Sequence, residues 1–145
     1  HEELPSIEGF DVAIVDAVGK LEKMTISVIK ASDLVLVPIQ PSAADLWAVG
    51  QVIDHIETRQ DITGGTPKAR FVISRAIGSS KMGEQVQDIL DEAPFGRLES
   101  SVNQRVAYAR ALGEGKSVHD TSDKKAQAEI NKLTDQLEQI LRADG

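Results

Sequence analysis

Three short apolar runs, separated by stretches of helical spacing, do most to limit how this chain can fold. They span Phe10–Val18, Leu34–Ile39 and Ala69–Ile77, and most of their residues are Val, Ile, Leu or Ala. Near-continuous apolar runs of this length are typical of strands that are buried on both faces of a parallel sheet. Phe95–Val102 is a fourth, weaker strand candidate. We therefore predict an α/β fold with a parallel sheet and helices on both of its faces.

Between and after these runs, apolar residues recur at the three- and four-residue steps of amphipathic helices. The clearest predicted helix begins at Ser42, and its apolar face comprises Trp47, Val49, Val52, Ile53 and Ile56. A later helix is predicted to point Val86, Ile89 and Leu90 inward. This helix is predicted to span Gly83–Ala93. The other predicted helices span Thr25–Ala31, Gln104–Leu112 and Asp123–Arg142.

Composition narrows the class of protein. The chain of 145 residues fits one domain, predicted here to cover residues 1–145. A net charge of −7 means that any contact with nucleic acid would need a local cluster of Lys and Arg. The lack of cysteine excludes a disulfide scaffold and Cys-ligated zinc. No apolar run has the length of a membrane span and the first residues do not resemble a signal peptide, so we predict a cytoplasmic protein.

Ligands of open parallel sheets bind beyond the carboxyl ends of the strands, so the residues that follow each apolar run are candidate site residues. Asp16 ends the first run, and Gly19 follows three residues later. In P-loop ATPases the Walker B aspartate occupies this position and holds Mg²⁺, while a nearby glycine senses the γ-phosphate. An ordinary aspartate that caps a turn explains the same pattern.

Two further strand ends carry candidate residues. At the end of the second run, Pro38 and Pro41 lie in a loop that leads through Ser42 to Asp45. Such a loop can present backbone groups to a base. The alternative is a well-capped helix start that needs no ligand. Arg75 lies at the end of the third run, where it is placed to meet a phosphate or a base; a surface charge is the alternative.

Two features late in the chain bear on phosphate binding. The segment Gly113–Ser117 ends in Gly-Lys-Ser, but it lacks the earlier glycine of the phosphate-binding signature and follows a helix, so we reject it as a P-loop. Arg105, Arg110 and Lys116 form the basic cluster with the fewest acidic neighbours in sequence. The three histidines are far apart, which predicts no histidine metal site.

Taken in order, these segments resemble the ParA family of plasmid and chromosome partition ATPases, in the wider class that includes MinD. FDVAIVDAVG resembles the Walker B strand of the family, DLVLVPIQPSAADLWAVG its proline loop beside adenine, and ARFVISRAI the next strand with its terminal Arg. NQRVAYARALGEGKSVHDTSD is similar to the late helix of the family and the loop that follows. The resemblance covers almost the whole chain.

The resemblance implies ATP and Mg²⁺ as cofactors, with Mg²⁺ held at Asp16 through water and the γ-phosphate sensed by Gly19. It implies dimerisation on ATP, binding to nonspecific nucleoid DNA through phosphates, and release by a ParB-type centromere-binding adaptor. By the same resemblance, the adenine side comprises Pro38, Pro41, Ser42, Asp45 and Arg75, and the DNA contacts comprise Arg105, Arg110 and Lys116.

One departure from the family pattern is large, because no strand with a glycine-rich phosphate loop precedes Phe10. We therefore expect the chain to be the C-terminal portion of a ParA-like ATPase that is inactive without the missing loop. One alternative is a MinD-like ATPase that positions cargo on a membrane or scaffold, but the last helix is rich in Asp, Glu and Gln, which predicts no stable membrane association. Another alternative is an α/β binding module that has lost nucleotide binding.

Overall fold

The three strands lie side by side in a parallel sheet whose order follows the chain. The structure is a computed structural model, and it describes residues 9–17, 22–78 and 80–143. Strand β1 spans Leu34–Ile39, β2 spans Lys68–Ala76 and β3 spans Arg97–Asn103, in the sheet order β1-β2-β3. Helices flank the sheet, which confirms the predicted α/β fold.

The helices fall close to their predicted positions. Their bounds are α1 Glu22–Ala31, α2 Ala43–Ala48, α3 Gly50–Thr63, α4 Lys81–Asp91, α5 Val106–Gly113 and α6 Lys124–Arg142, and a short 3₁₀ helix spans Val118–Asp120. Helix α6 begins after Asp123, whose carboxylate accepts hydrogen bonds from the N–H groups of Lys125 and Ala126 at 3.1 and 3.0 Å. Because that carboxylate satisfies donors that have no partner within the helix, it fixes where α6 starts.

The chain divides into two compact units. One comprises the described residues up to Val35 together with Gly50–Ala69. In it, α1 packs against α3, and Ile29 and Ile56 are buried. Apolar residues at three- and four-residue steps, such as Ile26 and Ile29 in α1 and Val52 and Ile56 in α3, give each helix an apolar side.

The second unit comprises Leu36–Val49 and the described residues from Arg70 onward. Its core includes Phe71, whose ring centroid lies 5.8 Å from that of Phe95. Helix α6 packs on β3, where the backbone N–H and the hydroxyl of the buried Ser100 donate to Gln136 Oε1 at 3.1 and 2.8 Å. These contacts hold the second half of α6 against the middle of β3.

The predicted strand at Phe10–Val18 is wrong. Residues 10–17 form no strand and are exposed, with Ile14 94% exposed, and Val18 lies outside the described residues. A strand requires a neighbour whose backbone groups pair with its own. No described strand pairs with residues 10–17, so their apolar composition alone does not produce a strand.

The helix predicted to begin at Ser42 is interrupted. The N–H of Val49 donates to the carbonyl oxygen of Asp45 at 3.2 Å and closes α2, and α3 begins at Gly50. Trp47 is 84% exposed, so the predicted apolar face is wrong for α2, whereas Ile56 in α3 is buried as predicted. In α4, Val86 and Leu90 are buried as predicted, but Ile89 is 51% exposed because it lies at the edge of the buried face.

Candidate functional site

The carboxyl ends of the three strands meet at one edge of the sheet, because the strands are parallel. The segment Gln40–Asp45 follows β1, Arg75 lies at the end of β2, and Arg105 follows β3. This edge is where open α/β sheets bind ligands. Two strand ends that the sequence singled out, at Pro41 and Arg75, are therefore brought to a common edge, and Arg105 from the predicted DNA-binding cluster lies at the same edge.

The loop after β1 is held by hydrogen bonds within itself. The Ser42 hydroxyl accepts from the N–H of Asp45 and donates to Asp45 Oδ1, both at 3.1 Å. Asp45 Oδ2 accepts from the N–H of Gln40 at 2.9 Å. Pro38 is exposed and Pro41 is half-buried. The loop is thus a capped helix start, the alternative that the sequence left open, and its shape is fixed without a ligand.

Arg75 has a backbone conformation that is unusual for a residue with a side chain. Its φ is 51°, in the left-handed region, which costs about 1–2 kcal/mol in a residue with a Cβ atom. It is also the extra residue of a bulge, because Ser74 pairs with Val102 whereas Ala76 pairs with Asn103. Strained residues and bulges of this kind concentrate at functional sites. The exposed Arg75 side chain projects where β2 leaves the sheet.

A cleft of about 1170 Å³ lies beside Arg75. Its walls come from the ends of β2 and β3 and from α5, and the N–H of Gln104 joins the two strand ends by donating to the Ala76 carbonyl oxygen at 2.9 Å. The walls carry exposed apolar side chains beside cations and amides; they include Ile77, Val106 and Leu112, together with Arg75, Asn103 and Arg105. Apolar faces with a few polar groups suit a planar heterocyclic base.

Glu129 in α6 joins three residues that line this cleft. Its carboxylate accepts from the N–H and side-chain amide of Asn103 at 3.2 and 2.7 Å, and from Nε and Nη2 of Arg105 at 2.9 and 2.6 Å. It also accepts from the Tyr108 hydroxyl at 2.8 Å. The Glu129 side chain is only 14% exposed, and its charge is compensated by Arg105.

The same contacts shift the ionisation of the cluster. Burial raises the pKa of Glu129, but the hydrogen bonds from Arg105, Asn103 and Tyr108 outweigh it and lower that pKa from 4.5 to about 2. Burial and the Glu129 carboxylate raise the pKa of Tyr108. The cluster therefore consists of a carboxylate, a guanidinium and a neutral phenol at physiological pH.

The structure separates the three cations that were predicted to contact DNA. Arg105 pairs with Glu129, and its side chain is 25% exposed. Arg110 and Lys116 lie further along the chain and are more exposed, and each bonds to Glu114 at 3.0 Å. Acidic neighbours are thus closer than the sequence suggested. Because exposed ion pairs are weak, a phosphate can replace Glu114 as the partner of Arg110 and Lys116.

Asp16 lies in the first unit and is exposed, and Gly19 lies outside the described residues. The described residues contain no group of three or more His, Cys, Asp or Glu side chains that would hold a metal by themselves. A nucleotide-bound Mg²⁺ needs few protein ligands, because it is held by one or two carboxylates, phosphates and water. The chemistry of Asp16 fits that role.

Sequence reasoning missed Glu129 as a member of the site. The signal was present, because Glu129 follows Ala126 by three residues and precedes Leu133 by four, which places it within the apolar stripe of α6. A carboxylate in such a stripe needs a partner. The identity of that partner depends on the fold.

The comparisons with known proteins support a family assignment only coarsely. No family model matches the chain. The chain is 30% identical over 130 residues to the maintenance of carboxysome distribution protein A of Halothiobacillus neapolitanus. The match covers 88% of this chain and 60% of the relative, so the chain spans less than two thirds of the relative's length. This likeness supports the ParA-like family coarsely, without singling out DNA partition. None of the described helices is long and apolar enough to cross a membrane.

Proposed function

We propose that this chain is part of a cargo-positioning ATPase of the ParA and MinD class. The observation that carries the proposal is the 30% identity, over 88% of the chain, to a protein named for maintaining carboxysome distribution. The order of strand ends in the sequence and the cleft at the sheet edge agree with it. Distribution of a large cargo is therefore favoured over DNA segregation as the task of the intact protein.

The chain would supply the base side of the nucleotide site. The apolar walls of the cleft and the Arg75 guanidinium suit an adenine ring, and the capped loop from Pro38 to Asp45 would close the same edge of the sheet. Asp16 would hold Mg²⁺ through water. When bound, Mg²⁺ neutralises charge on the β- and γ-phosphates of ATP.

ATP turnover by the full-length protein tests the nucleotide part of the proposal. Asp16→Ala should reduce the Mg²⁺-dependent ATPase rate to background, because the ion would lose the carboxylate that is proposed to hold it through water. Asp54→Ala, which alters an exposed aspartate on α3, is the matched control and should retain the wild-type rate. An unchanged rate in Asp16→Ala would remove Asp16 from the site. No ATP binding by the wild-type protein in calorimetry would favour the binding module without nucleotide.

DNA segregation is the second candidate, and it is favoured by the resemblance of the sequence to partition ATPases. This function would include nonspecific DNA binding, ATP-dependent dimerisation, a nucleoid location and a ParB-type adaptor. Deleting the gene in its host separates the two functions. Cargo positioning predicts clustered or unevenly divided protein-shelled compartments with normal plasmid and chromosome inheritance. Increased plasmid loss with evenly distributed compartments would refute cargo positioning.

The MinD-like version of cargo positioning on a membrane has its own test. Co-sedimentation with vesicles that contain anionic lipid should show no ATP-dependent pelleting, because Asp135 and Glu138 interrupt the basic polar face that α6 would need to bind anionic lipid. Robust pelleting would assign the scaffold to a membrane instead of the nucleoid.

A further inference from the structure

The junction between β3 and α5 forms one wall of the cleft, and Glu129 holds it from behind. Asn103, Arg105 and Tyr108 line the cleft, and all three donate hydrogen bonds to the Glu129 carboxylate. Glu129 is not among the residues that line the cleft. It therefore acts on any ligand there only through these three donors.

The number of hydrogen bonds makes this carboxylate the main constraint on the junction. Glu129 accepts five hydrogen bonds from described residues, and two of them come from the Arg105 guanidinium. Hydrogen bonds to an ionised group are roughly twice as strong as those between neutral groups. Loss of the charge would leave the Arg105 guanidinium, which is only 25% exposed, without its partner.

Arg105 is consequently directed inward. Both of its bonding nitrogens point to Glu129 Oε1, and the N–H of the preceding residue, Gln104, is tied to the Ala76 carbonyl oxygen. These contacts fix the shape of the segment that lines the cleft together with Arg75. A planar base inserted between the two walls would meet a rigid surface.

We propose that Glu129 is a positioning residue that fixes the Asn103–Tyr108 wall of the cleft and thereby sets the selectivity for the base of the nucleotide. The proposal rests on the proposed function, because it takes the cleft to hold the base of ATP. It assigns Arg105 to the nucleotide cleft instead of to DNA.

The test compares three ligands in the full-length protein by calorimetry: ATP, GTP and inorganic tripolyphosphate, each with Mg²⁺. Glu129→Gln keeps the shape of the side chain but replaces an ionised acceptor by a neutral amide that is itself a donor. It should weaken ATP binding by roughly tenfold, in line with the loss of one charge-assisted hydrogen bond. It should also bring the ATP and GTP affinities together, and leave the tripolyphosphate affinity unchanged because that ligand has no base.

Two further variants separate positioning from general stability. Glu138→Gln alters an exposed carboxylate of the same helix that pairs with Arg142, and it should behave as wild type. Tyr108→Phe removes a single donor and should cause a smaller loss of ATP affinity in the same direction. It serves in place of Glu129→Gln if that variant does not fold.

The outcomes are distinct. If the wild-type protein binds neither ATP nor tripolyphosphate, the proposed function fails, and the role of Glu129 fails with it. If the wild-type protein binds ATP, but the variants melt at a lower temperature with an unchanged ratio of ATP to GTP affinity, Glu129 is only structural and the positioning role is refuted. An equal loss for ATP and tripolyphosphate would also refute it.

Discussion

Acidification should weaken the fold through Glu129 in a narrow range of pH. The pKa of Glu129 is lowered to about 2 from its ordinary value of 4.5. The unfolded chain thus takes up this proton at a higher pH than the folded protein, and the stabilisation is complete above pH 4.5. It falls as the pH drops from 4.5 towards 2 and is absent below that range. The difference between the two pKa values corresponds to ~3 kcal/mol of unfolding free energy at neutral pH.

Urea unfolding of the full-length protein and its Glu129→Gln variant at a series of pH values measures this contribution. Because the variant cannot titrate at position 129, its stability relative to wild type should improve by ~3 kcal/mol between pH 6 and pH 2. The pKa values of Tyr108 and Arg105 are raised, so neither of these two partners of Glu129 loses a proton between pH 6 and pH 2. The Glu138→Gln control should follow the wild-type curve. A difference between wild type and Glu129→Gln that does not change with pH would refute the reasoning.

Three more perturbations have expected outcomes. Phe71→Ala should lower the free energy of unfolding by about 3–5 kcal/mol, because this fully buried ring packs against Phe95. Urea unfolding measures this loss. A loss below about 1 kcal/mol would contradict the place of Phe71 in the core. Arg75→Gly should raise thermal stability slightly, because glycine adopts a φ of 51° without strain, yet weaken ATP binding in calorimetry; unchanged affinity would remove Arg75 from the base site. The double variant Arg110→Gln, Lys116→Gln should bind nonspecific DNA with a weaker salt dependence. The slope of the logarithm of the binding constant against the logarithm of the salt concentration should decrease in magnitude by about 2. An unchanged slope would place the DNA contact elsewhere.

The sequence was sufficient to locate most of the sheet. Leu34–Ile39 was predicted and observed with the same bounds, and β2 and β3 differ from their predicted positions by one or two residues. Gly64 and Gly65 shortly before Lys68 limit where β2 begins. Phe10–Val18 has the same pattern but forms no strand in its described residues. An apolar composition allows a segment to form a strand, but the strand forms only where a neighbouring strand pairs with its backbone.

The candidate site was predictable only where it depends on strand ends. The topology of a parallel sheet places Arg75 and the segment after β3 at the same edge, and this follows from the order of the elements alone. The left-handed conformation of Arg75 has no signature in the sequence, because arginine does not favour it. The Arg105–Glu129 pair joins residues 24 positions apart and depends on how α6 packs on β3. By contrast, the Arg110–Glu114 pair follows the four-residue spacing of a helix, so the sequence analysis could have found it but did not.

The three late cations differ in how their carboxylate partners are buried, and we propose two separate roles for them. Arg105 is constrained by a carboxylate that is mostly buried, and withdrawing it to meet a phosphate would leave Glu129 with an uncompensated charge. Arg110 and Lys116 share Glu114 at an exposed position, where water and salt already compete with the pair. A DNA phosphate can displace Glu114 at little cost but cannot displace Glu129. Any DNA contact made by this region is therefore expected to use Arg110 and Lys116 and to be strongly salt-dependent, while Arg105 stays with the cleft.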